Sequence, residues 1–168
     1  MMNLYVENET DRELPFPAEE VAKLVCGAVL EDVGCPCDDV QINVLLTDNQ
    51  GIRRLNREFR QVDRETDVLS FPNVDFCQAG VFEVDEEDEE DYFDPETGEL
   101  ILGDIMISVD RMYDQARCYG HHVKREFAFL LAHSMLHLCG YDHIAEEERL
   151  VMERKQEDIL TGLGITRE

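Results

Sequence analysis

Two spacings of apolar residues take turns along the chain and mark out its elements. Leu4 and Val6 alternate with polar neighbours, which predicts a short first strand. Pro17 opens a helical pattern in which Val21, Leu24, Val25, Ala28 and Val29 share one face, and Gly34 stops it. Val40 to Leu46 alternates and then turns apolar, a strand, after which Thr47 or Asp48 can cap a helix running to about Arg60. Thr66 to Phe71 reads as the next strand, ended by Pro72. From about Asn73 to Gly98 the periodicity is lost and the composition is that of a solvated loop. A strand returns from Glu99 to Ser108, and Ser108 can cap a helix through about Tyr119. An apolar helix spans about Val123 to Cys139 and stops at Gly140. The last helix runs from near Ala145 to Gly162 or Gly164.

These segments add up to four strands and five helices. Some neighbouring strands can pair antiparallel, while helices between others permit parallel crossovers. The predicted fold class is therefore α+β, a small mixed four-stranded sheet packed with about five helices. A chain of 168 residues can bury a real core, so residues 1–168 are expected to form one domain, with an acidic loop inserted at about 73–98.

Charge and cysteines narrow the setting. The formal net charge is −24, and eleven acidic residues with no basic ones lie between Glu83 and Glu99. A field of that sign repels nucleic acid at long range and argues against indiscriminate binding to polyphosphate. The longest apolar run, Phe127 to Ala132, is too short to span a bilayer, and no signal peptide is visible after Met1, so a cytoplasmic location without membrane contact is expected. The six cysteines have no framework spacing and should stay reduced, most of them as small buried hydrophobes. A second metal site from Cys118, His121 and His122 is the weaker alternative.

Chemistry concentrates in His133-Ser134-Met135-Leu136-His137-Leu138-Cys139-Gly140-Tyr141-Asp142-His143. Residues four apart on a helix share a face about 6 Å apart, so His133 and His137 can grip one ion. Gly140 lets the chain leave in a left-handed turn that can carry His143 back to it. Three neutral imidazoles leave a tetrahedral zinc one position for water, the arrangement of a catalytic site. One Zn2+ ion is expected, although the same donors suit nickel, copper and iron. The competing account, core or surface histidines on an apolar helix, would suit a lone residue better than three in this register. The spacing equals the metzincin pattern, which makes the helix zincin-like, but Ser134 stands where a metallopeptidase carries its glutamate base. A serine hydroxyl does not take up a proton near neutral pH, so peptidase activity is the weaker reading.

The chain resembles the YbeY family of bacterial metal-dependent endoribonucleases. The likeness rests on Leu55-Asn56-Arg57-Glu58-Phe59-Arg60, on Thr66 to Pro72, on Leu102-Gly103-Asp104-Ile105 and on His133 to His143, in that order. The resemblance implies a single-strand-specific RNA hydrolase acting in 16S rRNA 3′-end maturation and ribosome quality control. It implies His133, His137 and His143 as zinc ligands and Arg60 as a functionally required arginine. The acidic loop is no part of the likeness.

Zinc lowers the pKa of bound water to about 7, and arginine offers a planar fork for the negative charge developing on a phosphoryl group. Arg53, Arg57, Arg60 and Arg64 would form one RNA-facing stripe if their helix extends that far; a solvated face tied to Glu58, Asp63 and Glu65 explains the spacing equally well. Asp142 is a candidate to orient a ligand imidazole, or to cap the turn. Asp67 and Asp104 can line the cleft or serve turn bonding, and Tyr141 reads as packing. Expected partners are single-stranded rRNA and the small ribosomal subunit or its basic proteins. The alternative from the binding class is a ribosome-assembly factor with a structural zinc.

Overall fold

A computed structural model describes residues 2–37, 39–76, 78–82 and 89–166. Cys77 and residues 83–88 of the acidic run lie outside the described residues. The elements are β1 (Met2–Asn8), α1 (Ala18–Val33), β2 (Val40–Thr47), α2 (Asn49–Arg60), β3 (Val68–Pro72), the single turn α3 (Glu89–Tyr92), β4 (Leu100–Ser108), α4 (Val109–Tyr119), α5 (Val123–Leu138) and α6 (Glu146–Gly162). The sheet order is β1-β2-β4-β3, parallel from β1 through β2 to β4, with β3 antiparallel on the edge. This is the mixed α+β sheet the alternation predicts.

Local chemistry sets the boundaries. Asp48 accepts from the Gly51 N–H at 2.7 Å and starts α2, and Ser108 accepts from the Arg111 N–H at 3.2 Å and starts α4. Strand β3 begins at Val68 rather than Thr66 and ends at Pro72, which pairs with Gly103 because an edge strand tolerates a residue without an N–H. Gly103 at φ +153° allows the Phe71 carbonyl and Leu138 to approach where a Cβ would clash.

Val40, Ile42, Val44 and Leu46 point inward from β2, and Ile105 and Ile107 from β4, into one apolar cluster with Val25 and Val29 of α1 and Phe127, Leu131 and Met135 of α5. Helix α5 is the central helix, packed on β3 and β4 and against α1, α4 and α6. Among the described residues no helix is long and apolar enough to cross a membrane.

The stretch from Asn73 to Gly98 departs from the expected solvated loop at its ends. Val74 and Tyr92 are buried, Phe76 and Phe82 meet edge to face at 5.0 Å, and the Tyr92 hydroxyl accepts from the Asp75 N–H at 3.2 Å. Four apolar side chains anchor the flanks of the acidic segment.

Leu131 is fully buried at the middle of α5. Leu131→Ala is expected to cost about 2–5 kcal/mol, read from the urea midpoint at unchanged slope. A loss well under 1 kcal/mol would show that α5 is not the centre of the core.

Candidate metal centre

Helix α5 presents His133 and His137 one turn apart and then ends in a Schellman arrangement. The Tyr141 N–H donates to the Leu136 carbonyl at 2.9 Å, and the Gly140 N–H to the His137 carbonyl at 3.0 Å. Gly140 has φ +92°, and a Cβ there would collide with Phe76. The chain reverses, and Asp142 fixes the next turn by accepting from the His143 N–H at 2.7 Å. His137 Nε2 then lies 3.2 Å from His133 Nε2 and 3.1 Å from His143 Nδ1. One donor atom from each of the three rings falls within 4.8 Å of the others.

This donor set fits a metal ion. A neutral imidazole has one ring proton, and with that proton on Nδ1 the Nε2 of His137 is free to donate to an ion. The nitrogen facing both other rings is left with a lone pair, so the cluster is short of positive charge between its members. Bonds of about 2.0–2.1 Å to a tetrahedral zinc place ligand nitrogens roughly 3.3 Å apart, close to the 3.1 and 3.2 Å found here. Burial, with the neighbouring His137 and His143 adding to it, pushes His133 down to about 4. Burial also lowers His137, with His143 and Arg60 acting in the same direction. Both rings are therefore held neutral at physiological pH, the form that binds metal.

The residues behind the ligands went unread in the sequence. Gln156, only 2% exposed, borders the same depression as His133, and its amide N–H donates to the Phe129 carbonyl at 3.1 Å. That bond leaves the Gln156 carbonyl oxygen as the atom available to accept from the His133 ring. The available signal was a polar residue on the buried stripe of α6, between Met152, Ile159 and Leu160.

The centre opens into a cavity of about 760 Å³ lined by Arg60, Asp67, Phe59, Phe71 and Ile144 among others. His143 is half-exposed at its mouth. Arg60 comes from the last turn of α2, where its charge also complements the helix end. Among the described residues it has no ion-pair partner. Asp67 reaches the cavity wall while accepting from the Val68 N–H at 2.8 Å and the Gln115 amide at 3.2 Å, so lining and turn bonding coexist. Asp104 is not on that wall; it accepts from Asn43 at 3.0 Å across β2 and β4. The Asp142 carboxylate is 3.8 Å from His143 Nδ1, beyond hydrogen-bond reach, and holds the turn. Tyr141 lines the cavity, with Lys155 Nζ 5.4 Å from its ring centre.

The arginines do not form one stripe. Gln61 adopts a left-handed conformation at φ 56° and ends α2 at Arg60, so Arg64 leaves the helical register. Arg53 is tied to Asp63 through two bonds, 2.9 and 3.3 Å, and Arg57 is exposed away from the cavity wall. Arg64 instead joins Arg60 and Arg111, the last unforeseen, around an adjoining depression of about 350 Å³. Ser134 is fully buried and its hydroxyl bonds to Ser70 of β3, so it faces the sheet. Cys139 is the C-cap of α5 and lies in the core; burial pushes its thiol up to about 12, as it does for Cys26. His121 is bound to Glu126 at 2.6 Å while Cys118 is exposed, and among the described residues they join no metal-ligating group.

Fold and site together define an α+β protein with a three-histidine candidate metal centre at a helix end, beside an arginine-lined cleft. The family model described as Endoribonuclease YbeY matches residues 5–164, and the chain belongs to that family. It is 49% identical over 166 residues to the endoribonuclease YbeY of Lachnoclostridium phytofermentans, covering 99% of this chain and 100% of that one. Against the endoribonuclease YbeY of Agathobacter rectalis it is 50% identical over 166 residues, with 99% and 100% covered. The solution structure of TM1509 from Thermotoga maritima shares the fold, with a TM-score of 0.55 and 24% identity over 97% of this chain and 91% of that one.

Two outcomes follow from the ligand environment. The folded-state value of His133 is depressed from 6.5 to about 4, so the unfolded chain binds the extra proton in between. The corresponding stability is present above pH 6.5 and lost as pH falls towards about 4. In metal-free protein the denaturation midpoint should drop across that window, and His133→Asn should flatten the drop; parallel profiles would remove the assignment. Gln156→Ala should weaken metal affinity by about 10–100-fold in chelator competition, and unchanged affinity would show that Gln156 only packs.

Proposed function

We propose that this protein is a zinc-dependent endoribonuclease that cuts single-stranded RNA and acts in 16S rRNA 3′-end maturation and ribosome quality control. Residues 1–168 make up one hydrolase domain in this reading, with the acidic segment as an insertion. The observation that carries it is the presence of Arg60, without an ion-pair partner among the described residues, on the wall of the same cavity as His133, His137 and His143. Family membership supports RNA as the substrate.

His133, His137 and His143 would hold one zinc ion. Zinc in such a site supplies Lewis-acid polarisation of a phosphoryl oxygen and acidifies water to near neutral pH. Arg60 binds the non-bridging oxygens of the scissile phosphate and stabilises the charge that builds on them. From Arg60 the strand continues over the depression shared with Arg64, where Arg111 is paired with Glu65 at 3.3 Å, so Arg60 and Arg64 supply the positive charge facing the backbone. Arg53, already neutralised by Asp63, contributes little to it.

Two features weigh against the alternatives. A structural zinc is usually closed by a fourth protein ligand, whereas here the half-exposed His143 borders open space and Cys139 is committed to the core. A peptidase needs a carboxylate beside the first histidine, and Ser134 is bonded to Ser70 instead. The net charge of −24 keeps naked RNA at a distance, so productive encounter depends on a basic protein of the small ribosomal subunit. A cytoplasmic setting suits the buried thiols Cys26 and Cys139.

Arg60→Ala should lower the rate of single-stranded RNA cleavage by about 10²–10³-fold with zinc content and melting temperature intact. The wild-type rate should vanish on chelation and return with zinc. Loss of zinc or of folding in the variant would make Arg60 structural, and metal-independent cleavage would remove the reading.

A further inference from the structure

Phe59 is adjacent to Arg60 at the end of α2 and remains 59% exposed, an unusual position for so large an apolar side chain. It continues the inward face formed by Ile52 and Asn56, but α2 has by then run past the core. The ring is nevertheless held: it meets Phe71 of β3 edge to face, with centroids 5.7 Å apart at 66°. Both rings line the cavity that contains the three histidines and Arg60. A pinned, exposed aromatic within one residue of a phosphate-binding arginine has the geometry of a stacking surface for the base attached to that phosphate.

We infer that Phe59, braced by Phe71, stacks against one nucleobase next to the scissile phosphate and is the residue that makes the site require unpaired RNA. This rests on the endoribonuclease reading above. Stacking suits this protein because the −24 charge opposes electrostatic capture of the strand, whereas a base lying on an aromatic ring gains affinity without charge. Any base offers a flat face, so the platform selects strandedness rather than sequence. A paired base is already stacked within its helix and must first be pulled out to reach Phe59.

The test compares zinc-loaded wild type with Phe59→Ala, Phe59→Leu and Phe59→Trp on a single-stranded RNA oligonucleotide. A parallel set of oligonucleotides has one nucleotide at a time made abasic. The platform predicts that Ala and Leu raise KM at least ~5-fold, with a much smaller change in kcat, while Trp stays near wild type. One abasic position should impose the same rise on wild type and none on Phe59→Ala. If Phe59→Ala fails to fold, judged by its melting curve, the Leu and Trp pair carries the comparison. Wild-type cleavage with equal KM in Leu and Trp overturns the platform and leaves the endoribonuclease reading standing. Absence of zinc-dependent cleavage by wild type overturns both.

Discussion

The structure depends on how one helix stops. Helix α5 must end in a left-handed residue at Gly140 for His143 to return to the face that carries His133 and His137. The two Schellman hydrogen bonds and the packing of Phe76 on Gly140 leave no room for another course of the chain. Once returned, three imidazoles share a space in which neutral nitrogens repel and protonated ones repel more. A cation would resolve that conflict, and the buried core around α5 supplies the rigidity to maintain the arrangement.

Around this centre the protein separates long-range from local electrostatics. The molecule as a whole is strongly acidic, yet Arg60 lines the cleft and, with Arg64, the depression beside it, where Arg111 is paired with Glu65. The first condition discourages indiscriminate contact with RNA; the second rewards a strand that has been brought close. Val74, Phe76, Phe82 and Tyr92 pack the described flanks of the acidic segment.

Much of this was legible in the sequence because it depends on local periodicity. Alternation marked β2, a return of apolar residues marked β4, Asp48 and Ser108 marked two helix starts, and Gly140 marked the turn that gathers the three histidines. What stayed hidden depends on tertiary placement. The end of α2 near Arg60 was read from the pattern, but not its means, a non-glycine residue, Gln61, in a left-handed cap that takes Arg64 out of the helical register. Arg111 comes to Arg60 from a different helix, and Asp67 bonds Gln115 across 48 residues. Gln156 is a polar residue on a buried stripe whose neighbour, His133, lies on another helix. The flanks of the acidic stretch were obscured because charge dominates its composition while four apolar side chains determine its packing.

The central claim, that His133, His137 and His143 act together on one ion, is tested most directly by elemental analysis of the purified protein beside a His137→Ala variant. One zinc per chain in the first and none in a folded second is the expected result. Equal metal in both, or none in either after zinc is supplied, would contradict it.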